Sequence, residues 1–113
     1  MSRDSATLLD IADAARRATR FTVGLDAASF FDSEEKRWAV FSQIVIIGEA
    51  AARLSAEFQQ AHKQIPWKQI VGMRHRLVHG YDQINWRRVW ETATHDLPAL
   101  LTAITPLLPT EEG

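Results

Sequence analysis

The chain has 113 residues, 46% of them hydrophobic and 24% charged, which suits one globular domain built around a single core. It contains no cysteine, excluding a disulfide framework, a thiolate zinc site and a cysteine nucleophile. The net charge of −1 excludes a uniformly basic nucleic-acid coat, but the charge is unevenly placed. Between Trp67 and Arg88, five cations (Lys68, Arg74, Arg76, Arg87 and Arg88) stand against one acid, Asp82; that leaves +4 locally and −5 on the rest of the chain. His75 and His79 fall in the same segment, so a polyanion held at one face is a better fit than general coating. Met1-Ser2-Arg3-Asp4 lacks the apolar run of a signal peptide, and the dense apolar stretch Val40–Ile47 is far shorter than the ~20 residues of a membrane span. A cytoplasmic protein without membrane contact is expected.

The hydrophobic pattern is helical throughout, with no period-two strand and no internal repeat. The first helix is predicted from about Asp4 to Val23. Asp4 or Ser5 caps it, Leu8, Ile11, Ala12, Ala15 and Thr19 form its apolar stripe, and Gly24 breaks it. Leu25–Phe31 reads as a connector, with Phe30 and Phe31 pinned at the core edge. A long second helix follows from Asp32, whose pairing with Glu35 resembles a capping box, and runs to about Gln60. Its middle, Ile44–Ile47, is apolar nearly all round, which asks for many neighbours or a partner subunit. Pro66 opens a third helix that carries Ile70, Met73 and Leu77 and stops at Gly80. Asn85 caps the last helix, which Pro98 should kink and Pro106 and Pro109 should end. The fold expected is an all-α antiparallel bundle of four helices, or five if the kink splits the last. It spans 1–113 as one domain, with loose ends at about 1–3 and 110–113.

The chemistry is concentrated in Gly72-Met73-Arg74-His75-Arg76-Leu77-Val78-His79-Gly80-Tyr81. On a continuous helix Arg74 and His79 stand about 140° apart and roughly 7.5 Å along the axis, within reach of a long guanidinium. His79 in a last turn would feel the negative end of the helix dipole, which favours its protonated form. A histidine that moves a proton beside an arginine that stabilises phosphoryl charge is the minimum for phosphodiester cleavage. Cations at a helix C-terminus also occur simply because they stabilise that end. His75 and His79, at i and i+4, have a spacing that can bind zinc, but Asp82 is the only nearby acid to complete a site, so no metal is expected. The five glycines form no phosphate-cradling loop. Gly48 is placed to allow a close helix crossing, and Glu49 to be a paired, partly buried carboxylate. Trp67, Trp86 and Trp90 suit bundle packing better than base stacking.

Arg74, four residues, His79, one residue and Tyr81 form the R-x4-H-x-Y signature of the HepT-like proteins, within the broader HEPN group. The flanking runs Ile47-Gly48-Glu49-Ala50-Ala51, Ile65-Pro66-Trp67, Ile70-Val71-Gly72-Met73-Arg74, Val89-Trp90 and Asp96-Leu97-Pro98 resemble that family's pattern in order. One departure is His75, where the family often carries Asn or Asp. The resemblance implies an all-α homodimer, the toxin half of a two-gene bacterial toxin–antitoxin system whose antitoxin is a minimal nucleotidyltransferase of the MntA-like kind. It implies a metal-independent ribonuclease without cofactor, acting on RNA through Arg74 and His79, with His75 and Arg76 as auxiliary groups. Tyr81 would be the residue to which the antitoxin attaches AMP. Two other readings compete: a non-catalytic partner and substrate of the nucleotidyltransferase, and a structural bundle with a basic face for nucleic acid.

Overall fold

The computed structural model describes residues 2–79 and 83–110. Residue 1 and residues 111–113, where part of the loose ends was expected, lie outside that range. Two long helices, α1 (Arg3–Thr22) and α3 (Glu34–Ala52), pack along one another and form the centre of an all-helical bundle. α1 starts one residue ahead of expectation because Ser2 caps it, its side chain accepting from the Ser5 N–H at 3.0 Å; Asp4 and Ser5 are not the cap. Leu8, Ile11, Ala12, Ala15 and Ala18 recur every three or four residues and are fully buried, the alanines letting α3 approach closely. Across the pair, Arg17 Nε donates to Gln43 Oε1 at 2.8 Å, satisfying a polar group within the buried seam. Gly24 ends the connection in the left-handed region with φ +80°.

The predicted connector contains a helical turn, α2 (Ala27–Asp32), because Asp26 caps it by accepting from the Ser29 N–H at 2.8 Å. Phe30 of α2 is fully buried, 5.1 Å from the Trp90 ring. With Asp32 used to finish α2, Ser33 becomes extended and caps α3 through the Lys36 N–H, in place of the Asp32–Glu35 box. α3 stops at Ala52, well short of Gln60. The Ser55 N–H and hydroxyl both donate to the Asp4 carboxylate, at 2.9 and 2.6 Å, which diverts Ser55 from the helical ladder. Ser55 then caps the separate short α4 (Ala56–Ala61).

The third predicted helix is also divided. Pro66 is the cap residue of α5 (Trp67–Val71), Gly72 interrupts, and α6 (Met73–Leu77) follows. The chain then becomes extended, and an antiparallel pair, β1 (Val78–His79) with β2 (Gln83–Ile84), matches Val78 to Ile84 and His79 to Gln83. Asn85 caps α7 (Trp86–Glu91) as expected, accepting from the Arg88 N–H at 3.1 Å. α7 passes through a π turn (Thr92–Asp96) into α8 (Leu97–Ile104). Pro98 has no N–H for the Thr94 carbonyl, and the Leu97 N–H instead reaches back to Thr92; the interruption foreseen at Pro98 takes this form. No helix among the described residues is long and apolar enough to cross a membrane.

Candidate active site

Met73 and Leu77, at i and i+4, are buried and fasten α6 to the core, so the intervening Arg74, His75 and Arg76 all face solvent. The floor under this segment is α3. The helices cross closely at Gly48, where an added Cβ would lie 3.4 Å from the Val71 carbonyl oxygen and 3.5 Å from that of Ile70; this is ordinary contact, so the crossing leaves room for an alanine but for nothing larger. No hydrogen bond or ion pair joins the side chains of Arg74, His75 or Arg76 to another described residue. Three groups able to bind an anion are therefore exposed on α6, spread around its solvent side.

His79 is not in a last helical turn. α6 ends at Leu77, Val78 is extended (φ −104°, ψ 123°), and His79 pairs with Gln83 across the β-ribbon. The 140° separation and the helix-dipole argument for a protonated His79 therefore do not apply, because both assumed continuous helix to Gly80. The Asn85 N–H donates to the Leu77 carbonyl at 2.7 Å and ties the base of the ribbon to the end of α6. Arg74 and His79 thus sit on successive, linked elements. Tyr81 lies outside the described residues.

The ribbon also brings α7 back against α6. Arg88 Nη1 donates to the Arg76 carbonyl at 3.4 Å, so cations twelve residues apart in sequence meet at one surface. Of the five cations of the basic segment, Arg76 and Arg88 thus share one surface. One other expectation is corrected, that for Glu49, while the packing expected of the tryptophans is seen. Glu49 is exposed and forms no ion pair with a described residue, so it is not the paired, partly buried carboxylate expected. Trp67 is buried and its Nε1–H donates to the His62 carbonyl at 3.0 Å. Trp86 is half-buried, 5.2 Å from the Trp38 ring, with the Arg37 guanidinium 5.1 Å above it. Among the described residues, the two carboxylates held below their ordinary range, Asp4 by Ser55 and Asp26 by Ser29, belong to the ends of α1 and α2. Among the described residues, no group of three His, Asp or Glu side chains is placed to hold a metal ion.

Sequence reasoning gave no site role to Glu91, His95 or Asp96, which with Arg76 and Arg88 line a groove. The signal was present as charged residues at helical spacing from Arg88 onward.

Comparison with known proteins gives the wider context. The family described as "Ribonuclease HepT-like" matches residues 11–107. A "Probable ribonuclease HepT" of Thermococcus cleftensis is 33% identical over 93 residues, 82% of this chain and 84% of that one. A "Putative RNase" of Methanocaldococcus jannaschii is 33% identical over 95 residues, 84% of this chain and 87% of that one. Another, from Caldanaerobacter subterraneus subsp. tengcongensis, is 39% identical over 74 residues, 66% of each chain. No solved structure matches. With the matched region covering nearly all of the bundle and the whole Arg74–Tyr81 segment, the chain belongs to the HepT-like ribonuclease family.

Proposed function

We propose that the protein is the toxin of a two-gene bacterial toxin–antitoxin system and a metal-independent RNA endonuclease. The observation that carries this reading is the family match across residues 11–107, which includes an exposed Arg74 on α6 directly ahead of His79 on β1. In the proposed reaction a ribose 2′-OH attacks the neighbouring phosphorus and the P–O5′ bond breaks. The products are a 2′,3′-cyclic phosphate and a 5′-hydroxyl. His79 exchanges protons with the attacking or leaving oxygen, and Arg74 stabilises charge on the phosphoryl oxygens. His75 is an auxiliary polar group and Arg76 a phosphate contact.

One chain supplies a single motif histidine, whereas the reaction needs a base and an acid. A two-fold homodimer that joins two motif ends supplies both. Trp38, Ile46 and Val71, 50%, 37% and 38% exposed, support such a dimer by leaving apolar side chains uncovered on α3 and α5. Tyr81 is the proposed off-switch. AMP attached there by a minimal nucleotidyltransferase antitoxin adds bulk and negative charge where RNA must enter.

The test is expression without the antitoxin. Wild type should arrest growth and His79→Ala and Arg74→Ala should not; equal arrest by His79→Ala would remove the nuclease assignment. After co-expression with the nucleotidyltransferase, intact mass should show AMP-sized additions on wild type and none on Tyr81→Phe. Additions without any toxicity would favour the non-catalytic partner instead.

A further inference from the structure

The helical run after the ribbon carries charged groups that the cleavage scheme leaves unused. Arg88, Glu91, His95 and Asp96 fall at i, i+3, i+7 and i+8 along α7 and the π turn. Together with Arg76 of α6 they line an open groove of about 580 Å³, with Leu77 and the buried Thr92 at its base. That volume is in the range of clefts that hold small ligands. The groove starts at Arg76 and Leu77 of α6, the five-residue helix that also carries Arg74.

Two guanidiniums and two carboxylates share this groove, yet no ion pair joins them among the described residues. A bare polyanion satisfies only the arginines and is repelled by Glu91 and Asp96. A nucleotide of single-stranded RNA offers both kinds of group. Its phosphate matches Arg76 and Arg88, and the exocyclic amino group of cytosine, adenine or guanine can donate to a carboxylate. Uracil has no such amino group. His95, exposed and with Nδ1 3.1 Å from Thr94 Oγ1, adds an aromatic ring on which a base can stack.

We infer that this groove is a subsite for a nucleotide flanking the scissile phosphate, with a preference for amino-bearing bases over uracil. The inference rests on the ribonuclease reading above. Its test is binding, measured by fluorescence anisotropy in a His79→Ala background that prevents cleavage during titration. The probes are labelled single-stranded RNA of about twelve nucleotides, long enough for an extended site, and a dinucleotide.

Arg88→Ala with His95→Ala should weaken the longer RNA about tenfold, as expected for two exposed contacts, and leave the dinucleotide unchanged. The slope of log affinity against log salt should fall by about 0.7 for the lost phosphate contact, and Arg88→Lys should retain it. Glu91→Gln with Asp96→Asn should abolish the preference for oligocytidine over oligouridine. Unchanged affinity for the longer RNA, an equal loss on the dinucleotide, or no base preference in the parent would each overturn the subsite. If the parent binds neither RNA, the ribonuclease reading falls as well.

Discussion

The crossing of α3 over the end of α5 positions the motif, and Gly48 is the residue through which it can be perturbed. A Cβ at this position stands 3.4 and 3.5 Å from the carbonyl oxygens of Val71 and Ile70, which is contact without overlap. Gly48→Ala therefore recovers the helix-interior penalty of glycine, about 0.5–1 kcal/mol, at no steric cost. In a chain of this size that raises the melting temperature by about 2–4 °C. Gly48→Val differs in sign. Its γ carbons need space held by backbone carbonyls, and overpacking of this kind costs about 1–3 kcal/mol, or about 4–12 °C. Because α5 leads directly through Gly72 into α6, the strain is passed to the helix that presents Arg74. Thermal unfolding followed by circular dichroism, with RNA cleavage measured on the same samples, separates the two variants. Alanine should be stabilising and active, and valine destabilising and impaired. If alanine lowers the melting temperature as much as valine, the crossing is tighter than described and the argument fails.

Three further outcomes follow from the geometry. Asp4 accepts two hydrogen bonds from Ser55, which hold its carboxyl below the ordinary 3.8, so its contribution is full above that value and is lost as pH falls through the lowered one. Asp4→Ala should melt below wild type at pH 7, the gap should close in the strongly acidic range below the ordinary carboxylate value, and a gap independent of pH would contradict the assignment. Trp67→Phe removes the 3.0 Å bond to the His62 carbonyl and should cost about 1 kcal/mol in a denaturant titration; an unchanged midpoint would show that this bond contributes nothing. Trp38→Glu with Ile46→Lys places charge on exposed apolar positions of α3 and should convert a dimer to a monomer in sedimentation, whereas an unaltered dimer would locate the interface elsewhere.

The parts of the fold legible in the sequence were those set by local periodicity. The stripe Leu8, Ile11, Ala12 and Ala15 and the Asn85 cap are decided within a turn or two of helix, and they match the structure, while Ala18 takes the buried place expected of Thr19. What escaped depends on residues distant in sequence or on competition between adjacent caps. α3 ends early because Asp4, 51 residues away, captures Ser55. Asp26 and Ser33 take the cap positions that frame α2, leaving Asp32 no such role. The motif segment was misread for a related reason. Val78 and His79 follow directly on the helical pattern of Ile70, Met73 and Leu77, yet pairing with Gln83 and Ile84 and the Asn85–Leu77 bond draw them into a ribbon. The exposed run Arg74-His75-Arg76 needed only the buried Met73 and Leu77 to be placed, and was therefore readable. The meeting of Arg76 with Arg88 required the ribbon and was not.

The most direct test of the central claim is cleavage of single-stranded RNA by the purified protein in excess chelator, with analysis of the product ends. The account predicts fragments ending in 2′,3′-cyclic phosphate, a loss of about 10²–10⁴-fold in rate for His79→Ala, and a loss of about 10²–10³-fold for Arg74→Ala. Cleavage by His79→Ala at the wild-type rate, or cleavage by wild type that chelator abolishes, would contradict it.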